Sequence, residues 1–235
     1  GDFLTRLQRA EFAKWTDTAL RRKQTTVLAG TGCAISGEAL RQVAARDDRD
    51  GPWGYMSQVE DFELTYRIRE CGFRCQVSPG VRAYTDSMRT VRALLAQRMK
   101  WQTGTVSDLL TMGVNRLTLF DWWQQVAGLS MAFLRCLWLT LFPILALTGM
   151  LQFSAFWFLA IPGCFASLEF VSAHRIPHHE FRDLAYALLI VPSELFAWLR
   201  AGWFCAAWAE ALLSRITGKS KDRWQLQYLA DGTLS

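Results

Sequence analysis

Between Trp122 and Leu168 the chain carries a single charge, Arg135, and from Cys136 to Leu168 it carries none over 33 residues. A helix that crosses a bilayer needs about 20 mostly apolar residues, whereas a helix on a soluble core normally keeps a polar face. The stretch therefore predicts two spanning helices with a break near Thr148-Gly149 or Gln152. Trp122, Trp123, Trp138 and Trp157 fall where indole rings gather at the ends of spans. These residues read as part of an integral membrane protein, and a pair of buried core helices is the competing reading.

Charge divides the chain in the same way. Residues 1–120 hold 18 Lys/Arg against 13 Asp/Glu, while residues 121–235 hold 8 of each. With 51% hydrophobic residues the chain can bury enough apolar surface to offset the entropy of ordering, which excludes a disordered chain. The basic surplus argues for anionic lipid headgroups rather than nucleic acid. By the tendency of Lys and Arg to stay on the cytoplasmic side, the first half and the tail from Arg215 to Arg223 lie on one face, so the number of crossings is even. The apolar region 184–213, interrupted by Pro192 and Glu194, makes that number two or four. The expected organisation is a cytoplasmic part over 1–120, membrane helices over 121–213 and a basic tail over 214–235. No basic-then-apolar leader is read ahead of the first part. The six cysteines are scattered, Cys71 and Cys75 have no matching second pair, and reduced, buried thiols are expected.

Within the first part, residues 3–24 have helical spacing. Thr25 to Leu28 reads as a short strand running into the glycine-punctuated segment Ala29-Gly30-Thr31-Gly32-Cys33-Ala34-Ile35-Ser36-Gly37. Glu38 to Ala45 reads as a helix, as does Glu60 to Cys71, which Gly72 would stop. Phe73 to Val77 alternates like a strand, and Val91 to Leu110 reads as a helix carrying Gln97-Arg98-Met99-Lys100-Trp101. Alone, the Glu60-Asp61 pair is what any helix start favours, because free N–H groups and the helix dipole attract negative charge. Alone, the basic, Trp-bearing helix is an interfacial anchor.

Taken in order, these features resemble the membrane-bound processive members of glycosyltransferase family 2, which include cellulose, hyaluronan and poly-N-acetylglucosamine synthases. Glu60-Asp61-Phe62-Glu63-Leu64-Thr65-Tyr66-Arg67 is similar to that family's Glu-Asp-x-x-Leu-Thr-x-Arg stretch, and Gln97 to Gly104 to its Gln-Arg-x-Arg-Trp-x-x-Gly. Gly30-Thr31-Gly32 with Cys33 to Ser36 looks like the segment before the Glu-Asp helix, and Pro192 to Trp208 with Trp224 like the last membrane segment and its trailing Trp. Lys100 stands where Arg is usual, and Val59 where Thr is frequent.

The resemblance implies an α/β fold, the C-terminal part of a GT-A catalytic domain, followed by transmembrane helices. It implies an inverting transferase that moves a sugar from a nucleotide-sugar donor to a glycan or lipid acceptor at the cytoplasmic face, in a bacterial inner membrane. Asp61 would be the base that takes the acceptor's proton, with Glu60 orienting it or tuning its pKa. Gln97, Arg98 and Lys100 would meet the charge developing on the diphosphate, Trp101 would stack on the acceptor sugar, and Gly32 would lie at the substrate. Mg²⁺ or Mn²⁺ is expected for the complete enzyme, with ligands in a nucleotide-binding half outside this chain. Asp48-Arg49-Asp50 reads as a solvated turn, and His174, His178 and His179 as a juxtamembrane loop, so neither is read as a metal site. The alternative is a non-catalytic membrane subunit that keeps the scaffold.

Overall fold

The structure, a computed structural model, describes all residues except 1, 47–49, 55, 56, 82, 84, 153, 177 and 233–235. The elements are α1 (Asp2–Arg22), α2 (Gly37–Arg46), α3 (Glu60–Glu70), α4 (Val91–Met112), α5 (Leu119–Leu147), α6 (Ala155–His174), α7 (Phe181–Leu188), α8 (Ile190–Thr217) and α9 (Arg223–Asp231). The chain falls into two units. One holds residues 1–14 and 126–205, the other 15–125 and 206–235.

The α/β expectation is wrong. About 70% of the chain is helical and no strand is present among the described residues. The reason lies in the backbone hydrogen bonds of the two expected strands. One backbone bond joins segments 25–28 and 73–77, from the Thr25 N–H to the Cys75 carbonyl at 2.9 Å, and the chain bends at Thr26. The Val27 N–H turns to its neighbour's Thr25 Oγ1 (3.2 Å), and the Leu28 N–H goes to Thr65 Oγ1 on α3 (2.8 Å). Donors satisfied locally or by a helix leave no ladder to build, and two short strands alone are marginal in any case.

The helices of the first part form where expected. In the 15–125 and 206–235 unit, α2 lays Ala39 and Val43 on Leu64 and Ile68 of α3 and on Cys75, a core that Leu28, Ile35 and Phe73 extend. Burying Leu64 and Ile68 contributes roughly 1.5–3 kcal/mol each. α3 ends at Cys71, where Gly72 takes φ 87°, a left-handed turn that glycine adopts without strain. α4 opens with Thr90 accepting the Ala93 N–H and closes at Gly113, φ 70°. Asn115 then builds the corner into α5, accepting the Leu117 and Thr118 N–H groups and donating to the Tyr66 hydroxyl. The tail is more ordered than its charges imply. Asp222 caps α9 by accepting the Gln225 N–H, and α9 packs on α4.

In the other unit, the first turns of α1 are tied down by ion pairs. Arg6 reaches Asp183 (2.9 Å) and Glu180 (2.7 Å), Arg9 reaches Asp183 (3.4 Å), and Lys14 reaches Glu169 (2.6 Å). Ala10 and Ala13 fill the space against Ala173, Ile176, Leu184 and Ala187. The break between the apolar helices comes at Thr148-Gly149, as expected, with Gly149 at φ 70°. The later break falls at Leu189 rather than at Pro192, and bends α7 against α8 by 76°. Pro192 is accommodated in the first turn of α8, where its missing N–H has no helical acceptor to lose.

Among the described residues, α5 is the helix long and apolar enough to cross a membrane, and the bent pair α7–α8 passes the same test as one broken span. The apolar side chains of α5 stand open on every side, Met131, Phe133, Trp138 and Leu147 among them. The Arg135 charge in α5 is met by Glu194 of α8 at 3.2 Å. All six cysteines are free thiols. Cys75 is buried and Cys71 half-buried, but Cys33, Cys136, Cys164 and Cys205 are exposed, against the expectation of buried thiols.

Candidate functional site

The start of α3 is fixed by its own sequence and by α4. Val59 caps the helix through its carbonyl, which accepts from Phe62 and Glu63, and offers no side-chain acceptor of its own. Its side chain lies so close to Gly104 that a Cβ there would come within 2.8 Å of Val59 Cγ1. Phe62 and Leu109 complete this apolar contact. Beside it, Ser57 donates to Asp108 of α4 (2.7 Å) and accepts the Val59 N–H (3.0 Å). The glycine segment is anchored to the same helix from the other side. The Leu28 N–H donates to Thr65 Oγ1, and Thr65 Oγ1 donates in turn to the Asp61 carbonyl at 2.6 Å.

These anchors leave a cleft of about 290 Å³ lined by Leu28, Gly30, Cys33 and Ile35 of the glycine segment, Trp53 of the following loop, and Glu60, Asp61 and Leu64 of α3. Asp61 Oδ1 accepts the N–H of Phe62 at 2.8 Å. Burial raises the pKa of Asp61 above the ordinary carboxylate value, and the neighbouring Glu60 charge raises it further. The Phe62 and Gly30 N–H groups and the Lys100 ammonium pull in the other direction without cancelling the shift. A carboxylate held this way suits proton abstraction nearer to neutral pH.

Gln97, Arg98, Lys100 and Trp101 do not line the cleft. Arg98 and Lys100 are buried in the face of α4. The Arg98 guanidinium lies 4.5 Å from the Trp101 ring and 5.2 Å from that of Trp15, and the Lys100 ammonium lies 3.1 Å from the Trp224 ring of α9. Trp101 is half-buried, packed on the Val59–Phe62–Leu109 cluster. Gly32 sits in a turn, its N–H donating to the Ala29 carbonyl, with Ala83 so near that a Cβ on Gly32 would approach its Cβ to 2.8 Å.

Asp108 is the most perturbed acid of the region, its pKa raised to about 7. Burial is the main cause; the charges of Glu63 and Asp61 add to it, while the Ser57 hydroxyl and Arg67 oppose it. Between about pH 4 and 7 the unfolded chain has released this proton and the folded one still holds it, so stability falls as pH rises through that window. Asp108→Asn keeps an oxygen for the Ser57 hydroxyl and has no charge to desolvate. The variant is expected to melt higher than wild type at pH 8, by about 2–4 kcal/mol, and to lose most of that advantage at pH 4–5. Equal differences at both pH values, measured by thermal unfolding in detergent, would count against a buried, neutral Asp108.

A sequence model of glycosyl transferase family group 2 matches residues 1–171. The chain belongs to that family. The matched span takes in the glycine segment, the whole cleft and α4, and runs through α5 into α6. Neither the curated proteins nor the solved structures contain a match. The protein is thus a glycosyltransferase, and its Glu60-Asp61 pair stands in a cleft with the glycine segment that precedes it. Trp53 was not foreseen: it sits in a loop after Gly51-Pro52, where no periodicity marks a side chain as part of a site. The motif marks Thr65 in the sequence, while its bridge between Leu28 and Asp61 is a tertiary feature. Among the described residues no group of three His, Cys, Asp or Glu is placed to hold a metal ion. Asp48 and Arg49 of the Asp-x-Asp lie outside the described residues. The His174 and His179 rings lie tilted at 48° with centroids 4.7 Å apart.

Proposed function

We propose that the protein is a membrane-embedded, inverting glycosyltransferase that moves a sugar from a nucleotide-sugar donor to a growing polysaccharide or glycolipid. The observation that carries this reading is Asp61, a carboxylate of raised pKa at a helix start, opening into a cleft of sugar-like dimensions. Asp61 takes the proton of the acceptor hydroxyl as its oxygen attacks the anomeric carbon. The bond to the diphosphate breaks on the opposite face, so one base and one displacement invert the anomeric configuration. Glu60 keeps Asp61 basic by its charge and is placed to accept a second hydroxyl of the acceptor.

Arg98, Gln97 and Lys100 supply positive charge and donors for the departing diphosphate. The setting of Arg98 beside two indole rings supports this, because an immobilised guanidinium needs no reorganisation as charge develops. Lys100 offers a point charge, whose reach to Asp61 is visible in the pKa of that residue. Trp101 is assigned to the acceptor side and Gly32 to a turn where backbone approaches substrate. Mg²⁺ or Mn²⁺ does not fit the described residues, so no step is assigned to a metal held by them. Nucleotide binding is assigned to residues beyond this chain. The apolar, open face of α5 supports a bilayer location, and the basic first 120 residues support the cytoplasmic face of a bacterial inner membrane.

The test is donor turnover. Membranes containing the full-length protein, given a panel of UDP- and GDP-hexoses, are expected to release nucleoside diphosphate from one of them and to transfer its sugar to a larger product. Membranes that turn over none of the panel above a vector control contradict the reading and favour a non-catalytic scaffold.

A further inference from the structure

The cleft is small. At about 290 Å³ it stands at the bottom of the range of ligand pockets, roughly 300–1,000 Å³. That is room for a single sugar residue and too little for a nucleoside diphosphate with its sugar. Its lining is divided by chemistry. Glu60 and Asp61 offer carboxylate oxygens, Leu64 and Ile35 are apolar, and Trp53 is the one aromatic side chain among the described lining residues.

Trp53 differs from the other indoles near the site. Trp101 is engaged with Arg98 and Trp15, and Trp224 with Lys100 and Tyr228. Trp53 is 43% exposed and borders the cleft that holds the candidate base. A large apolar surface left open in a loop costs hydration free energy and needs a reason when it lines a carboxylate pocket. A pyranose supplies one. Its ring C–H groups make a flat apolar face, while its hydroxyls point outward around the rim toward acceptors such as Glu60 and Asp61. An indole beside two carboxylates is complementary to both parts of that ring.

We propose that Trp53 is the stacking platform for the terminal pyranose of the acceptor, holding its attacking hydroxyl at Asp61. Trp53 does not touch the leaving group, and Trp101 lies outside this cleft, so the contact is separate from any that Trp101 makes. The inference rests on the transferase reading above and deepens it, from the presence of a base to the place where the acceptor sugar sits.

The experiment uses full-length protein in membranes and the donor that the panel identifies, with soluble oligosaccharides of the transferred sugar as added acceptor. Trp53→Ala is expected to raise the acceptor KM about tenfold or more, the size of a lost aromatic contact, with a smaller effect on kcat at saturating acceptor. Trp53→Phe, which keeps a flat face, is expected to stay within about threefold of wild type. Trp53→Leu keeps apolar bulk without the flat face and is expected to behave like Trp53→Ala. Equal melting temperatures of the variants exclude misfolding, as the exposed position of Trp53 leads one to expect.

A wild-type protein that turns over donor while Trp53→Ala keeps its acceptor KM overturns the inference and leaves the transferase reading intact. Trp53→Leu with the wild-type KM overturns it too, since packing rather than stacking would then be at issue. Turnover that no added oligosaccharide of that sugar raises has the same consequence. A wild-type protein that turns over no donor removes the transferase reading, and this inference with it.

Discussion

Asp61→Asn is expected to lower sugar transfer by about 10²–10⁴-fold while leaving the protein folded. The substitution keeps an oxygen for the Phe62 N–H and removes a carboxylate that burial disfavours in its charged form, so the variant should melt no lower than wild type. What it removes is the electron pair that takes the acceptor's proton. The pH profile separates this role from a structural one. Because the pKa of Asp61 is raised, wild-type transfer should rise with pH along an acidic limb displaced above the ordinary carboxylate range. The residual rate of Asp61→Asn should lack that limb. Lys100 holds the pKa of Asp61 down, so Lys100→Met should move the limb to higher pH. Transfer by Asp61→Asn within threefold of wild type would place the base elsewhere.

The second large effect is on stability, in the other unit. Asp183 has its side chain 1% exposed, faces Arg6 and Arg9 at once, and accepts the Glu180 N–H at 2.8 Å. Arg6 is itself 10% exposed in its side chain. Removing the shared carboxylate strands two guanidinium groups, one of them largely out of water, and unpairs the start of α7. Breaking such a buried pair from one side costs about 3–5 kcal/mol. Asp183→Ala should therefore lower the melting temperature in detergent by about 10 °C and open the first turns of α1 to trypsin. Glu180 binds the same Arg6 but is 60% exposed, and Glu180→Gln should cost less than about 1 kcal/mol. Similar losses for the two variants would mean that burial of Asp183 does not set the strength of this cluster.

What could be read ahead of the structure was local. The carboxylates that open α3, the Gly72 that ends it and the Thr148-Gly149 break all act within a few residues of themselves. The pair singled out by the α3 motif, Glu60 and Asp61, lines the cleft. The failures share a different character. Thr25–Leu28 and Phe73–Val77 have strand-like patterns, but a strand is made by its partner, and here the Leu28 N–H is claimed by Thr65, 37 residues further along the chain. Residues 214–235 read as a basic tail, yet Trp224 finds Lys100 and Asp222 supplies a cap, so α9 packs on α4. The motif of α4 marks Arg98 and Lys100 but not their surroundings, since the indole rings beside them include Trp15 and Trp224, far away in sequence. Trp53 carries no signal in its own neighbourhood. Its meaning comes only from the cleft that Gly30, Glu60 and Asp61 form beside it.

The stereochemistry of the product tests the central claim most directly. Membranes containing the wild-type protein are given an α-linked nucleotide hexose, and the anomeric configuration of the newly formed linkage is determined by nuclear magnetic resonance. A single displacement assisted by Asp61 requires a β linkage. An α linkage, which needs two displacements or a different face of attack, would contradict the account of this cleft as a one-base, inverting active site.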